Sequence, residues 1–147
     1  MTASDSEGRD LTQTDAYRHW TRDVLRYCDV DRQGHVNNAV FATFLESGRV
    51  AILYDPKRDL IPAGGAFVIA RLILNYRAEV FWPNEIAIGT AVKQLGRSSV
   101  TFAQGIFVGG QCVATAETVI VFIDRATRKS QPLTDAMRGE LTTLALK

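Results

Sequence analysis

The chain has 147 residues and a hydrophobic share of 46%, the size and composition of one globular domain. Seventeen Lys and Arg oppose sixteen Asp and Glu, and a net charge of +1 argues against nucleic-acid or membrane-surface binding, which both need a basic excess. No apolar run approaches the roughly twenty residues that span a bilayer, and the N-terminus lacks a basic-then-apolar signal pattern, which predicts a cytoplasmic protein.

The predicted elements begin after a polar tail. Residues 1–15 lack hydrophobic periodicity, so we expect a loose tail followed by one domain over 16–147. A first strand is predicted over 20–29. The two cysteines, Cys28 and Cys112, fall inside predicted strands with no disulfide or zinc spacing, and we expect reduced thiols in or near the core.

The clearest element is a helix over about 38–54. Asn37 and Asn38 offer N-cap side chains, and large apolar residues follow at helical spacing: Phe41, Phe44, Leu45 and Ile52. Small and apolar residues also occupy much of the remaining circumference. A helix of this kind is predicted to be wrapped by the rest of the domain.

The period of the apolar residues changes to two at Phe67 and stays so to about residue 123. The first strand of this region is predicted to carry one apolar face: Val68, Ala70, Leu72, Leu74 and Tyr76. Further strands are predicted over about 86–92, 99–108 and 111–123, and a short helix over 134–145. The order predicts an α+β fold in which an antiparallel sheet of about five strands curls around one helix. Its edges favour pairing with another copy.

Several classes of site are excluded by the motifs. The segment from Glu46 to Arg49 is not a G-x-S-x-G elbow, and no phosphate-binding glycine loop occurs. With His19 and His35 as the only histidines, a histidine-rich metal centre is impossible. Asp29, Asp31 and His35 supply few ligands for a hard cation, so no metal site is predicted.

The junction between the loop at Asp31 and the long helix has a specific chemical logic. The first amides of a helix lack intrahelical partners, and the helix N-terminus carries partial positive charge. Such amides can bind a developing oxyanion, and a carboxylate shortly upstream can reach the same point. This combination is workable for acyl transfer.

The string YCDVDRQGHVNNAVFATFLESGR resembles the signature Y-x-D-x-D-x-x-G-H-V-N-N of the 4-hydroxybenzoyl-CoA thioesterase and long-chain acyl-CoA thioesterase branch of hot-dog proteins. The resemblance covers about residues 18–135. It implies a hot-dog fold, hydrolysis of an acyl-CoA thioester, and coenzyme A as part of the substrate with no other cofactor. It also implies a homodimer or homotetramer, in which the stretch near Phe67–Arg71 approaches the partner's Asp31.

The resemblance also implies roles for individual residues. Asp31 is the implied catalytic carboxylate, and the backbone amide near Asn38 polarises the thioester carbonyl. The turn between the second and third strands of the sheet region is implied to touch coenzyme A through Arg97, Ser98 and Ser99. In the hydroxybenzoyl branch, apolar and aromatic residues follow the glycine, so the His-Val-Asn-Asn of this chain favours an aliphatic acyl group.

Other residues keep two interpretations. Tyr27, His35 and Asn37 are candidate substrate contacts, although Tyr27 suits the core, His35 could orient Asp31, and Asn37 suits a helix cap. Arg128 and Lys129 could meet coenzyme A phosphates or be solvated.

Asp29 is expected to be structural, and Trp20 and Trp82 to pack. Glu46 is the rival catalytic carboxylate, because a second hot-dog branch places its glutamate in this helix; we favour an ion pair with Arg49.

Two further functions and two mechanisms stay open. The fold also suits an acyl-chain dehydratase, which would need a histidine in another motif, or a non-catalytic acyl-CoA-binding protein, which would lack the carboxylate. For a thioesterase, Asp31 could attack the carbonyl directly or deprotonate water.

Overall fold

The computed structural model describes residues 8–147, in which five strands form one antiparallel sheet and a long helix lies against it. The sheet order is β1-β3-β4-β5-β2. The strands are β1 (His19–Val24), β2 (Gly65–Tyr76), β3 (Glu85–Leu95), β4 (Ser99–Val108) and β5 (Gln111–Asp124), and the helices are α1 (Asn38–Leu53) and α2 (Asp135–Thr142). The predicted α+β hot-dog architecture is therefore confirmed.

The inner face of α1 holds the domain together through two apolar clusters. The N-terminal half of α1 buries Phe41, Phe44 and Leu45 against β3, β4 and β5, and the C-terminal half buries Ile52 and Leu53 in a second cluster that includes residues of α2. Burying each large side chain contributes about 1.5–3 kcal/mol before the entropy of ordering is counted. The helical spacing of the sequence thus identified the core-facing side correctly.

The opposite side of α1 is open in the single chain. Its exposed residues recur every three or four positions and form a stripe along the helix: Ala39, Thr43, Glu46, Val50 and Tyr54. The sheet therefore wraps α1 on one side only, which corrects the expectation of a helix surrounded by its own chain.

Polar side chains cross the buried face of the sheet beneath the middle of α1. Gln104 on β4 is fully buried; its Nε2 donates to Thr90 Oγ1 at 3.0 Å and to Leu45 O at 2.9 Å. Gly48 makes room for this row, because a Cβ there would lie 2.7 Å from Gln104 Nε2 and 2.8 Å from Thr90 Oγ1. The helix can approach the polar row closely because position 48 has no side chain.

Strand β2 lies at one edge of the sheet and contains a bulge. Ala70 is the extra residue, since Ile69 pairs with Ile120 and Arg71 pairs with Val119. The bulge reverses the alternation of faces: the residues that share the face of the buried β5 side chains are Phe67, Ile69, Leu72, Leu74 and Tyr76. The predicted placement of Val68 and Ala70 on that face is wrong, because strict alternation cannot foresee the inserted residue.

The segment just before β1 packs on the outer face of the sheet. Tyr17 is 2% exposed, packs with Phe107, and donates from its hydroxyl to Leu11 O at 2.6 Å. A 3-10 turn covers Thr14–Ala16. The expectation of a loose tail is therefore wrong for residues 8–15; residues 1–7 lie outside the described part of the chain.

The predicted strand over 20–29 is shorter than expected. It ends at Val24, and a 3-10 turn covers Tyr27–Asp29, capped by the buried Asp29. As a result Cys28 is exposed and only Cys112 is half-buried, so the expected burial is wrong for Cys28; both thiols are free. Within residues 8–147, no helix is long and apolar enough to span a bilayer.

Candidate active site

The loop that begins at Asp31 is a tight hairpin. Val30 pairs with Val36, the Asp31 amide donates to His35 O at 3.0 Å, and the Gly34 amide donates to Asp31 O at 3.1 Å. Gly34 has φ 88°, a left-handed conformation that favours glycine at this corner. The geometry fixes the backbone of Asp31 and brings it beside His35.

The Asp31 carboxylate is partly exposed and lightly constrained. Its Oδ1 accepts from the Gln33 amide at 2.8 Å, and its Oδ2 lies 3.6 Å from His35 Nδ1. His35 Nε2 lies 2.8 Å from Gln33 Oε1 and 3.8 Å from Glu79 Oε1. Asp31 therefore keeps an accessible oxygen beside an imidazole whose other nitrogen is held by a local partner.

Asp29 is the anchor of the loop. It is 2% exposed, its Oδ2 accepts from the Arg26 amide at 2.9 Å, and its Oδ1 pairs with the Arg26 guanidinium at 3.0 Å. The Asn37 amide donates to Asp29 O at 2.9 Å. These contacts agree with the structural role expected for Asp29, and they join the loop to the start of α1.

The N-terminus of α1 presents an open amide. Asn37 is the N-cap, and its Oδ1 accepts from the Ala39 amide at 2.9 Å. The Asn38 amide donates to no acceptor within residues 8–147, while the Asn38 carbonyl accepts from the Tyr76 hydroxyl at 2.8 Å. Such an amide at a helix N-terminus can donate to a carbonyl or oxyanion of a ligand.

Two small clefts lie near the Asp31 loop and the start of α1. One, of about 300 Å³, is lined by His35, Asn38, Phe41, Tyr76 and the chain from Arg77 to Val80. The other, of about 270 Å³, is lined by Tyr27, Val30, Asp31, Arg32, Gly34 and Trp82. In the single chain Asn38 and Asp31 therefore line separate clefts, and His35, which lines the cleft of Asn38, lies 3.6 Å from the Asp31 carboxylate.

The cleft walls change the interpretation of two aromatic residues. Tyr27 is 79% exposed and meets Trp82 edge-to-face at 5.5 Å, so its core interpretation is wrong. The sequence analysis missed Tyr76, which packs edge-to-face on Phe41 at 5.1 Å and bonds Asn38. Its only signal was its place at the end of an alternating strand, which does not reveal contact with a helix N-terminus.

The residues implied to touch coenzyme A lie elsewhere in the single chain. Glu85 at the start of β3 pairs with Val24 near the Asp31 loop, whereas Arg97, Ser98 and Ser99 follow the end of β3, roughly 33 Å away along the strand. Phe67 lies at this far end too, packed 5.2 Å from Phe122. One chain does not bring these residues to Asp31.

The expected ion pair between Glu46 and Arg49 is not formed. Glu46 is exposed on the open stripe of α1, whereas Arg49 turns inward and is 7% exposed. Its Nη1 donates to Gln104 Oε1 at 3.2 Å and to Thr118 Oγ1 at 3.3 Å. The side chains separate because Arg49 bonds the polar row under the helix.

No cluster of three or more His, Cys, Asp or Glu side chains that could hold a metal ion occurs in residues 8–147. Asp29, Asp31 and His35 do not form one, because Asp29 is committed to Arg26.

Comparisons with known proteins give relatives along nearly the whole chain. The family model described as thioesterase-like superfamily matches residues 25–141. The long-chain acyl-CoA thioesterase FadM of Escherichia coli K12 is 31% identical over 125 residues, covering 82% of this chain and 95% of that protein.

Solved structures of similar fold support the same family. The PA5185 protein from Pseudomonas aeruginosa has a TM-score of 0.83 at 26% identity, covering 90% of this chain and 95% of its own. A Thermus thermophilus thioesterase in complex with coenzyme A and Zn has a TM-score of 0.75 at 28% identity, covering 85% of this chain and 98% of its own. The chain belongs to the thioesterase-like superfamily.

Proposed function

We propose that the protein hydrolyses an acyl-CoA thioester, with Asp31 as nucleophile or general base and the Asn38 amide polarising the carbonyl. The observation that carries the proposal is the open Asn38 amide at the start of α1, seven residues after a partly exposed carboxylate. Family membership and the similarity to FadM, a long-chain acyl-CoA thioesterase, support the reaction class.

The chemistry needs few groups because a thiolate is a good leaving group. The pKa of a thiol is about 8.5, so the C–S bond can break without a strong general acid. If Asp31 acts as a base, it takes a proton from water, whose oxygen bonds to the carbonyl carbon. The Asn38 amide stabilises the resulting oxyanion, and the thiolate departs when the carbonyl re-forms. If Asp31 attacks directly, water then cleaves the mixed anhydride.

A second copy of the chain would complete the site. Edge strand β2 exposes apolar side chains: Ile69, Leu72, Ile73 and Tyr76. A two-fold axis perpendicular to the sheet at the middle of β2 would pair it antiparallel with its mate and cover this edge. Because Tyr76 lies at the Asn38 end of β2 and Phe67 at the other end, the pairing brings Phe67 of the partner subunit toward Asn38.

The same operation brings a basic surface to the site. The far end of the sheet carries the Arg97 turn and a cleft that includes Arg125 and Arg128. The Phe122 amide donates to the Ser98 carbonyl, which places the turn beside the end of β5. We propose that the partner's turn, with Arg97, Ser98 and Ser99, meets the phosphates of coenzyme A, because guanidinium groups bind phosphate oxygens strongly.

We further propose an aliphatic acyl group. Phe41 and Tyr76 supply apolar walls beside the Asn38 amide, and the partner's Phe67 would extend them. The long-chain substrate of FadM favours the same choice.

Thiol release from a panel of acyl-CoAs tests the proposal. We expect turnover of fatty acyl-CoAs and slower turnover of hydroxybenzoyl-CoA, monitored with a colorimetric thiol reagent. No thiol release from any acyl-CoA would overturn the proposed reaction, and faster turnover of hydroxybenzoyl-CoA would overturn the aliphatic preference. Sedimentation at micromolar protein should show at least a dimer; a 16.2 kDa species alone would contradict the two-copy site.

A further inference from the structure

Arg49 is a buried cation without an ion-pair partner among the described residues 8–147. It is 7% exposed, its Nη1 bonds the neutral side chains of Gln104 and Thr118, and no carboxylate of residues 8–147 forms an ion pair with it. Burial lowers the pKa of the Arg49 guanidinium, and nearby Glu46 raises it. Because arginine stays charged in proteins, burying it costs free energy that a nearby anion would offset.

Glu46 lies three residues before Arg49 on the same helix, but its carboxylate is on the exposed side, whereas Arg49 turns inward. It stands on the open stripe of α1, which continues into the exposed Val50 and Tyr54. The neighbouring edge of β2 exposes Ile69 and Leu72 on the same side of the sheet as α1. A second copy of the chain that covers this apolar surface would remove water from the Glu46 carboxylate, and a nearby cation would then be needed to compensate its charge.

The register of the sheet places Arg49 level with the middle of β2, and Glu46 lies within one helix turn of it. Arg49 bonds Thr118, Thr118 pairs with Leu72, and Leu72 lies near the centre of the strand Gly65–Tyr76. Glu46 is about 4.5 Å along α1 from Arg49. Residues that are level with a two-fold axis and near it lie close to their own symmetry mates. Arg49 reaches Thr118 on the strand next to β2, so an axis between β2 and its mate, at the middle of the strand, would bring two arginines and two glutamates toward one another.

We propose that Glu46 of each copy forms an ion pair with Arg49 of the partner subunit, so that two symmetric pairs make the polar centre of an apolar dimer interface. This inference rests on the two-copy arrangement proposed above and not on the reaction. It gives Glu46 a role in assembly rather than in catalysis, and it explains why Arg49 is buried without a carboxylate partner among residues 8–147 of its own copy.

Cross-linking tests the position of the axis. In a background of Cys28→Ser and Cys112→Ser, the Leu72→Cys variant keeps both charged residues and should give a covalent dimer with a short bismaleimide. Val24→Cys, at 66% exposure on the opposite edge strand β1, is the matched control and should stay mostly monomeric in denaturing gels. Cross-linking through Val24→Cys and not through Leu72→Cys would place the interface elsewhere and overturn the proposal.

Charge reversal tests the ion pairs. Glu46→Lys places four cations around the axis, and we expect the dimer dissociation constant from sedimentation equilibrium to rise at least about a hundredfold; Glu46→Gln should raise it at least about thirtyfold. Asp135→Lys changes the net charge equally on the exposed surface of α2 and should stay within about threefold of wild type. Circular dichroism of the dissociated variant checks that the chain remains folded. A Glu46→Lys dimer as tight as wild type overturns the proposal.

The two proposals fail separately. A dimer that cross-links through Leu72→Cys and dissociates with Glu46→Lys, but releases no thiol, removes the proposed reaction and leaves this interface. Thiol release by a protein that does not cross-link through Leu72→Cys removes this interface and leaves the proposed reaction.

Discussion

Gly48→Ala is predicted to destabilise the protein although alanine favours helices. The new Cβ would lie 2.7 Å from Gln104 Nε2 and 2.8 Å from both Ile88 Cγ2 and Thr90 Oγ1. Helix propensity favours the variant by about 1 kcal/mol. Overpacking costs about 1–3 kcal/mol, and pushing Gln104 from its bonds to Leu45 O and Thr90 leaves buried polar groups unsatisfied at about 1–3 kcal/mol each. We expect a net loss of about 3 kcal/mol in the free energy of unfolding.

Gly139→Ala in α2 is the matched control, because no atom lies within 4 Å of a Cβ at that position. It should stabilise the protein by about 0.5–1 kcal/mol. Urea unfolding at one fixed protein concentration compares the variants, since the proposed dimer would make stability concentration-dependent. If Gly48→Ala proves as stable as wild type, the close approach of α1 to the polar row is refuted.

Substitutions at two further residues probe local contacts. Asn37→Ala should lower the free energy of unfolding by about 1 kcal/mol through loss of the helix cap, and Asn37→Asp should keep it; equal urea midpoints for both would contradict the cap. Burial raises the pKa of Tyr17 above its usual value of about 10, so the unfolded chain loses this proton first and stability should fall as pH rises above about 10. Tyr17→Phe should abolish Tyr17's share of this fall in stability. Through the lost hydrogen bond to Leu11 O it should also lower the free energy of unfolding by about 1 kcal/mol at neutral pH. An unchanged dependence of stability on alkaline pH would contradict the burial of Tyr17.

Periodicity predicted the helix core face and the four later strands because local side-chain spacing dictates them. It could not predict the bulge at Ala70, which depends on pairing with β5, or the packing of Tyr17 on the outer sheet face. The start of the long helix at Asn38, just after the Asp31 loop, was predicted correctly, since a helix start depends on local sequence. The inward turn of Arg49 was missed, because its partners Gln104 and Thr118 are distant in sequence.

For the site, sequence alone could not place the residues of the far sheet end. Arg97 and Phe67 matched family positions, but their distance from Asp31 follows from strand length and topology. The two-fold axis that we propose would convert that distance into proximity across two copies.

The kinetics of Asp31→Asn test the central claim most directly. The substitution keeps size and most hydrogen bonding, including acceptance from the Gln33 amide, but removes the charge. We predict that kcat falls at least about a hundredfold with little change in KM. Glu46→Gln, assayed at concentrations where it is dimeric, should retain kcat within a few-fold. An Asp31→Asn enzyme near wild-type activity beside an inactive Glu46→Gln dimer would contradict the account and move the catalytic carboxylate to Glu46.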